Sequence, residues 1–393
     1  MKIAMVAACP FPWPRGTPIR AHRMAEALGQ RGHDVHVVTY HLGDAMRTRH
    51  VTVHRIAGPA IYAHAAPGPT LTKLALLDPL LTRKLRSVLR GGHFDVIHAH
   101  HYEGLLCGLL ARRRHAPPLV FDVHTLLESE LPSYSAIGRS LMKRIGRALD
   151  RLLPAYADHV IAVSEDMRRE LERLGRVSRS QLSVISNGVE ADHFCSDTAE
   201  PMRNVIVFAG NLAPYQGIDL LLRAFARVRQ EVPAARLHLL TDGDFNPLRP
   251  LAEMLGIASS IEAMAVDYAA LPQALRAATV LVNPRPVCSG VPQKLFNYMA
   301  SARPVVSFAA SAALLEHEKT GLIVSDGDIA AFAAAIVRLM RDPALAARLG
   351  KSARLLVSKH YSWDQVAARV EQVYAHVLAS TRHASDDVPR IVL

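Results

Sequence analysis

The feature that most constrains this chain is an alternation that happens twice. Short aliphatic and β-branched runs at 2–8, 34–40, 51–56, 95–98, 118–123, 158–163 and 182–186 read as strands, with amphipathic helical patterns such as 17–31 and 165–174 between them. Strand, helix, strand at this spacing requires crossover connections, and so a mostly parallel sheet covered on both faces. The pattern then restarts. Strand runs at 204–209, 235–240, 279–283 and 304–307 alternate with helices at 217–230, 268–277 and 292–301. A chain of 393 residues also exceeds one ordinary core. The expectation is an α/β protein of two doubly wound, Rossmann-like domains facing across a cleft, with ligands at the carboxyl edges of the sheets.

The boundaries follow from where the pattern lapses. Residues 1–188 form the first domain, the aperiodic stretch 189–203 a linker, and 204–360 the second domain. Helical patterns at 327–341, 343–359 and 361–379 close the chain, and 381–393 reads as a flexible tail. The N-terminal apolar run is too short for a signal-peptide core, and no stretch has the roughly 18 uncharged apolar residues of a membrane span. The four cysteines, Cys9, Cys107, Cys195 and Cys288, are scattered without a C-x-x-C pair, which argues against a disulfide scaffold or zinc ribbon and for a cytoplasmic protein.

Charge is unevenly spread. Of the net +11, residues 1–190 carry 26 Lys+Arg against 16 Asp+Glu, and the remainder is nearly balanced. One predicted helix places Arg139, Lys143, Arg144, Arg147 and Arg151 among Leu141, Ile145, Leu149 and Leu152. This basic amphipathic pattern fits a solvated outer face and equally a helix lying on an anionic bilayer, peripheral to the inner face of the cell membrane. The basic runs lack interleaved aromatics and any recognition motif, so nucleic acid is not an expected partner.

Three loops are candidates for chemistry. Pro12 to Pro18, with Arg15, Gly16 and Thr17, leads into the first helix, where Arg15 and Arg20 either meet a phosphate or face water. Gly210 and Asn211 follow a strand, and Gln216-Gly217 precedes the next helix, whose N-terminus suits a phosphate. In the third loop a strand ends at Asn283 and a helix starts near Pro292. Arg285, Ser289, Gly290 and Val291 lie between, and Lys294 and Asn297 share the helix face that follows. His98, His100 and His101 invite a metal reading, but no third ligand spacing is visible, and no metal is expected.

In this order the three loops resemble those of the GT-B glycosyltransferases of family 4. The likeness extends through Arg31-Gly32-His33-Asp34-Val35, Asp95-Val96-Ile97-His98-Ala99-His100, Ala162-Val163-Ser164, Asn187-Gly188-Val189 and Tyr298-Met299-Ala300 followed by Arg303-Pro304-Val305-Val306. The resemblance implies a retaining transferase without a metal cofactor. It implies a nucleotide-diphosphate sugar held by the second domain and an acceptor held by the first: a glycan, a lipid-linked glycan or a small molecule. It implies that His124, in Asp122-Val123-His124-Thr125, sits near the donor sugar, and that Glu128 or Glu130 meets an acceptor hydroxyl. It also implies that the helix at 361–380 crosses back onto the first domain.

Departures from the family pattern are specific. Ser289 and Asn297 occupy the positions where the family commonly has two Glu residues, and Asn211 and Gln216 those of its usual Arg and Lys. The chain resembles an atypical subgroup with Tyr-Gln-Gly in the second loop and a Lys before the missing Glu. A stripped diphosphate needs cations or dense N–H donors, so Lys294, with Arg285, takes that role. Two other readings share the fold: an isomerase like the sugar-nucleotide 2-epimerases, and a catalytically silent sugar-nucleotide binding protein.

Overall fold

The computed structural model describes residues 1–13, 16–43, 48–58, 70, 73–113, 116–134, 138–194, 202–288 and 290–386. Arg15 and Ser289 lie outside them. The chain divides into two compact units, Met1–Ser186 with Trp363–Leu393, and Asn187–Ser362.

The first unit runs β1 (Lys2–Ala7), α1 (Gly16–Gln30), β2 (Asp34–Thr39), β3 (Val51–Arg55), α2 (Asp78–Arg90), β4 (Val96–His100), α3 (His101–Ala111), β5 (Leu119–Val123), α4 (Leu127–Tyr134), α5 (Arg139–Leu152), β6 (His159–Ala162), α6 (Glu165–Leu174) and β7 (Leu182–Val184). The second runs β8 (Val205–Ala209), α7 (Ile218–Glu231), β9 (Arg236–Leu240), α8 (Arg249–Met254), β10 (Ile261–Met264), α9 (Leu271–Arg276), β11 (Val280–Asn283), α10 (Gln293–Ala300), β12 (Val305–Phe308), β13 (Leu322–Val324), α11 (Ile329–Arg341) and α12 (Pro343–His360). The final helix, α13 (Trp363–Asp386), belongs to the first unit.

Both sheets are parallel throughout, in the orders β3-β2-β1-β4-β5-β6-β7 and β10-β9-β8-β11-β12-β13. Each therefore reverses direction at one place, between β1 and β4 and between β8 and β11. Ligands in open parallel sheets sit beyond the carboxyl ends of the strands at that switch point. The loops at 8–16, 210–217 and 284–292 follow three of these strands, β1, β8 and β11.

The strands are apolar on both faces, as a doubly covered sheet requires. In β1, Ile3 and Met5 pack under α1 and α13, while Ala4 and Val6 pack under α2 and α3. In β8, Ile206 and Phe208 face α7 and α11, and Val205 and Val207 face α10 and α12. Within α13, Val366, Val370, Tyr374 and Val377 are buried, each contributing about 1.5–3 kcal/mol of apolar burial. The Arg31-Gly32-His33 step now has a physical role. Gly32 turns at φ +87°, which lets Arg31 grip Glu371 of α13 at 2.8 and 2.9 Å and Asp364 at 2.7 Å, while His33 meets Glu371 at 2.7 Å.

Several expected boundaries move. Val189, Ala191 and Phe194, read as linker, are buried in the core of the second unit. The tail expected from 381 continues α13 to Asp386. Pro292 precedes α10 with extended backbone rather than opening its first turn. Strands β10 and β13 were not expected. Both are short edge strands, and β10 is half-exposed with no β-branched run.

Candidate active site

In the first unit the C-terminal edge of the sheet carries a buried polar network. Arg20 does not face water or a phosphate. Its Nε and Nη2 donate to Asp122 at 2.9 and 3.1 Å, and Nη2 also reaches the Ile185 carbonyl at 2.9 Å, with both side chains out of solvent. Burial alone would raise the Asp122 carboxyl. The Arg20 charge, with His124 and His100 beside it, outweighs that and holds it well below its usual range.

Three histidines surround this carboxylate. His98 and His100 share one face of β4 and stack at 4.5 Å between centroids. His98 Nδ1 meets the Tyr374 hydroxyl at 2.6 Å, and His100 Nδ1 meets His124 Nε2 at 3.1 Å. Burial pushes His100 down to about 3. Burial also lowers His124, although Asp122 pulls the other way, so His124 is a neutral imidazole at pH 7. With Nε2 turned inward, Nδ1 is the nitrogen His124 has for a ligand. Ligand atoms of His98, His100 and Asp122 lie within 4.8 Å of one another, a spacing a metal could use. The donor set argues otherwise, because Asp122 already accepts two guanidinium N–H groups.

A second cluster adjoins it. His101 opens α3 at φ +62°, an uncommon conformation for a non-glycine residue that this cluster holds in place. Its Nδ1 meets Glu103 at 2.5 Å and its Nε2 meets Glu130 at 2.9 Å. Burial would lower His101, but the two carboxylates carry it up to about 10, so it is an imidazolium at pH 7. Glu130 Oε2 also accepts from Thr125 at 2.7 Å, so both internal contacts fall on one oxygen and Oε1 is the oxygen Glu130 has for an acceptor hydroxyl. Glu128 is half-buried, facing Lys143 and Arg147 of α5 at 3.8 and 4.0 Å. Gly16 (φ +54°) and Thr17 begin α1 at the same sheet edge. The sequence reading missed the Arg20–Asp122 pair and the pairing of His101 with Glu103 and Glu130. The only signal was charge placed where the hydrophobic pattern demands burial.

In the second unit, the two loops expected to cooperate do meet. Gly217 takes φ +70°, and a Cβ there would stand 2.2 Å from the Pro284 carbonyl, so the loops touch through backbone. Lys294 Nζ donates to Gln216 Oε1 at 2.6 Å and lies 4.0 Å from the centre of the Phe208 ring. Gln216 in turn reaches Asn211 at 3.4 Å, and Asn211 donates to Tyr215 at 2.9 Å. The Arg285 guanidinium lies 4.8 Å over the Tyr215 ring, and its Nε donates to the Val287 carbonyl at 2.9 Å. Gly210 (φ +145°) and Gly290 (φ +90°) flank the cluster, Val291 follows Gly290 just before α10, and Asn297 sits one turn beyond Lys294. Burial, then the Arg285 charge, pushes Lys294 down to about 7. Among the described residues neither cation pairs with a carboxylate. The helix starts of α7 and α10, two cations and neutral amides thus converge at the switch point of the second sheet, an arrangement suited to an anion.

Comparison with known proteins agrees with this geometry. A model described as Glycosyltransferase Family 4 matches residues 14–193, and one described as Glycosyl transferases group 1 matches 203–342. The chain belongs to the group 1, family 4 glycosyltransferases, with Rossmann-like units of the GT-B kind. It is similar to the phosphatidyl-myo-inositol mannosyltransferase of Mycobacterium tuberculosis, 28% identical over 398 residues, covering 97% of this chain and 98% of that one. It is also similar to the D-inositol 3-phosphate glycosyltransferase of Streptomyces avermitilis, 27% identical over 320 residues, covering 75% and 68%. Among solved structures, the sucrose-phosphate synthase of Thermosynechococcus elongatus superposes with a TM-score of 0.78 at 20% identity over 96% of this chain and 99% of that one. Anabaena HepE in complex with UDP and glucose gives 0.71 at 17%, over 96% and 100%. No helix among the described residues is long and apolar enough to cross a membrane.

Proposed function

We propose that the chain moves a sugar from a nucleotide-diphosphate sugar to an acceptor with retention at the anomeric carbon and no resident metal. The observation that carries this reading is the pair of uncompensated cations, Lys294 and Arg285, gathered at the switch point of the second sheet. Negative charge grows on the departing diphosphate, so Lys294, Arg285, Gln216 and the N–H groups around Gly217, Gly290 and Val291 stabilise the transition state more than the ground state. Asn211 orients Gln216, and Asn297 is assigned to the nucleotide end. His124 is assigned to the donor sugar as a neutral hydrogen-bonding group. Gly16, Thr17 and Glu128 are assigned to the acceptor side, and Arg15 and Ser289 keep their sequence-based roles. The solved complexes of HepE with UDP support a nucleoside diphosphate donor. The two relatives, by name an inositol 3-phosphate glycosyltransferase and a phosphatidyl-myo-inositol mannosyltransferase, support a phosphorylated cyclitol, free or on a lipid, as the acceptor class.

A lipid-borne acceptor fits α5. Its Lys143, Arg144 and Arg147 are exposed beside Leu141 and Ile145, which are 51% and 38% exposed. We assign this face to an anionic bilayer on the cytoplasmic side. Co-sedimentation with anionic vesicles should fall in Leu141→Ser/Ile145→Ser, and unchanged binding would remove α5 from the assignment.

The deciding experiment is donor turnover with product analysis. Wild-type protein should stabilise on adding nucleoside diphosphates of one base, and should transfer the sugar to an inositol-type acceptor with the anomeric configuration kept by NMR. Epimerisation of the donor alone would favour the isomerase. Tight donor binding without transfer over a broad acceptor panel would favour the silent binding protein, the reading motivated by Ser289 and Asn297.

A further inference from the structure

The first sheet has a second edge. Asp95 immediately precedes β4 and Pro118 immediately precedes β5, while α2 and α3 both end nearby. A cavity of about 410 Å³ opens there. It lies a full strand length from the histidine network, about 16 Å for five residues.

Its wall is basic. Arg86 and Arg90 from the end of α2, Arg113 beyond α3, and His93 line it, with Asp95 as the one carboxylate among the lining residues. Asp95 is partly used, since Oδ2 accepts the backbone N–H of Lys2 at 2.7 Å. The Lys2 ammonium is close as well, 5.1 Å from the centre of the Phe94 ring, and is itself paired with Asp34 at 3.4 Å. Among the described lining residues, three guanidiniums against one carboxylate leave a surplus of two positive charges. Arg86 donates to the Leu110 carbonyl and Arg90 Nε to the Arg86 carbonyl at 3.2 Å. Each guanidinium has five N–H donors, so donors remain after those bonds. The rest of the lining is apolar, including Leu89, Phe94 and Leu378.

We propose that this cavity binds a phosphate ester, at a site separate from both donor and acceptor. A surplus of two charges matches a phosphomonoester dianion, and planar guanidiniums recognise phosphate oxygens in pairs. The apolar floor suits an ester with a carbon-rich partner. A free phosphate ester and an anionic lipid headgroup present the same chemistry.

The test uses the full chain, titrated with inorganic phosphate by calorimetry and with phosphatidylcholine vesicles with and without phosphatidic acid by co-sedimentation. Arg90→Glu/Arg113→Glu should weaken phosphate binding at least about tenfold, the size expected for lost charge-assisted bonds. The same loss should appear in the Lys294→Gln background, where phosphate binding at the donor site is weakened, which separates the cavity from the donor site. In the Leu141→Ser/Ile145→Ser background, which removes the binding assigned to α5, loss of phosphatidic acid vesicles along with phosphate identifies a headgroup, whereas loss of phosphate alone identifies a free ester. If the charge-reversed variant melts early, Arg90→Gln/Arg113→Gln carries the same test with a smaller loss. Wild-type affinity in a folded variant overturns the proposal. So does a wild-type protein that binds no phosphate and does not prefer phosphatidic acid vesicles.

Discussion

The two carboxyl edges of the sheets handle charge in opposite ways. At the first, the buried charges named above are answered from within: Arg20 by Asp122, His101 by Glu103 and Glu130. In the second, Lys294 and Arg285 meet a neutral amide and an aromatic face. The first edge is a finished scaffold that holds His124 in one orientation. The second is incomplete until an anion arrives, and the low affinity of Lys294 for its proton records that cost. Removing a charge should therefore damage stability at one edge and binding at the other.

The largest effect should come from Asp122→Ala. It removes the carboxylate that answers the buried Arg20 guanidinium, and losing one partner of a buried pair costs about 3–5 kcal/mol. Urea denaturation would show it. The double variant Arg20→Met/Asp122→Leu should recover much of that loss, because no orphan charge remains. A single variant as stable as wild type would break the contrast.

Lys294→Ala should reverse the pattern. Transfer should fall about 10²–10³-fold, as when one donor to a developing anion is removed, with stability unchanged or slightly higher. The pH dependence has a definite sign. A lysine at about 7 in the folded state binds its proton less tightly than in the unfolded chain, near 10.5. Stability therefore gains from this group as pH rises from about 7 towards 10.5. A bound diphosphate pulls the other way, so donor affinity should weaken as pH rises above 7. Calorimetry in buffers of different ionisation enthalpy should show proton uptake on nucleoside diphosphate binding near pH 8, and Lys294→Arg should abolish it. Binding without proton uptake would mean that the cation is already charged and paired.

Gly217→Ala tests whether the second edge is built by backbone contact. The new methyl would collide with the Pro284 carbonyl at a positive φ. A loss of about 1–3 kcal/mol on thermal melting is expected, together with loss of stabilisation by nucleoside diphosphates. A variant that melts normally and still binds would show that the loops adjust freely.

The difference between the edges also explains what could be read from sequence. The alternation of strands and helices was legible because burial on both sheet faces writes apolar runs into strands such as β1 and β8. The cluster of Gly210, Gln216, Gly217, Arg285 and Lys294 was legible because glycines and an isolated cation mark loops that must approach something. The first edge was not. Arg20 sits in an amphipathic helix as one more charged residue, and its partner lies 102 positions away. His101 was read with His98 and His100, yet its positive φ turns it out of their network and into that of Glu103 and Glu130. Edge strand β10 escaped because a short, half-covered strand needs little hydrophobic pattern, and β13 because its apolar run is only three residues long.

The smallest expected effect is a zero, and it bears on the first edge alone. His98, His100 and Asp122 have the spacing of a metal site. A metal ion there would compete with Arg20 for the carboxylate, and with the Tyr374 hydroxyl for His98 Nδ1 unless it bound Nε2. Bringing a divalent cation beside a buried guanidinium adds repulsion that no further carboxylate in the cluster offsets. Exhaustive dialysis against a chelator should then leave melting temperature and transfer rate where they were, and added zinc should not raise either. A fall in both on chelation, restored by one metal and absent in His100→Gln, would mean that the first edge is also incomplete as it stands, and the contrast between a finished edge and a waiting one would fail.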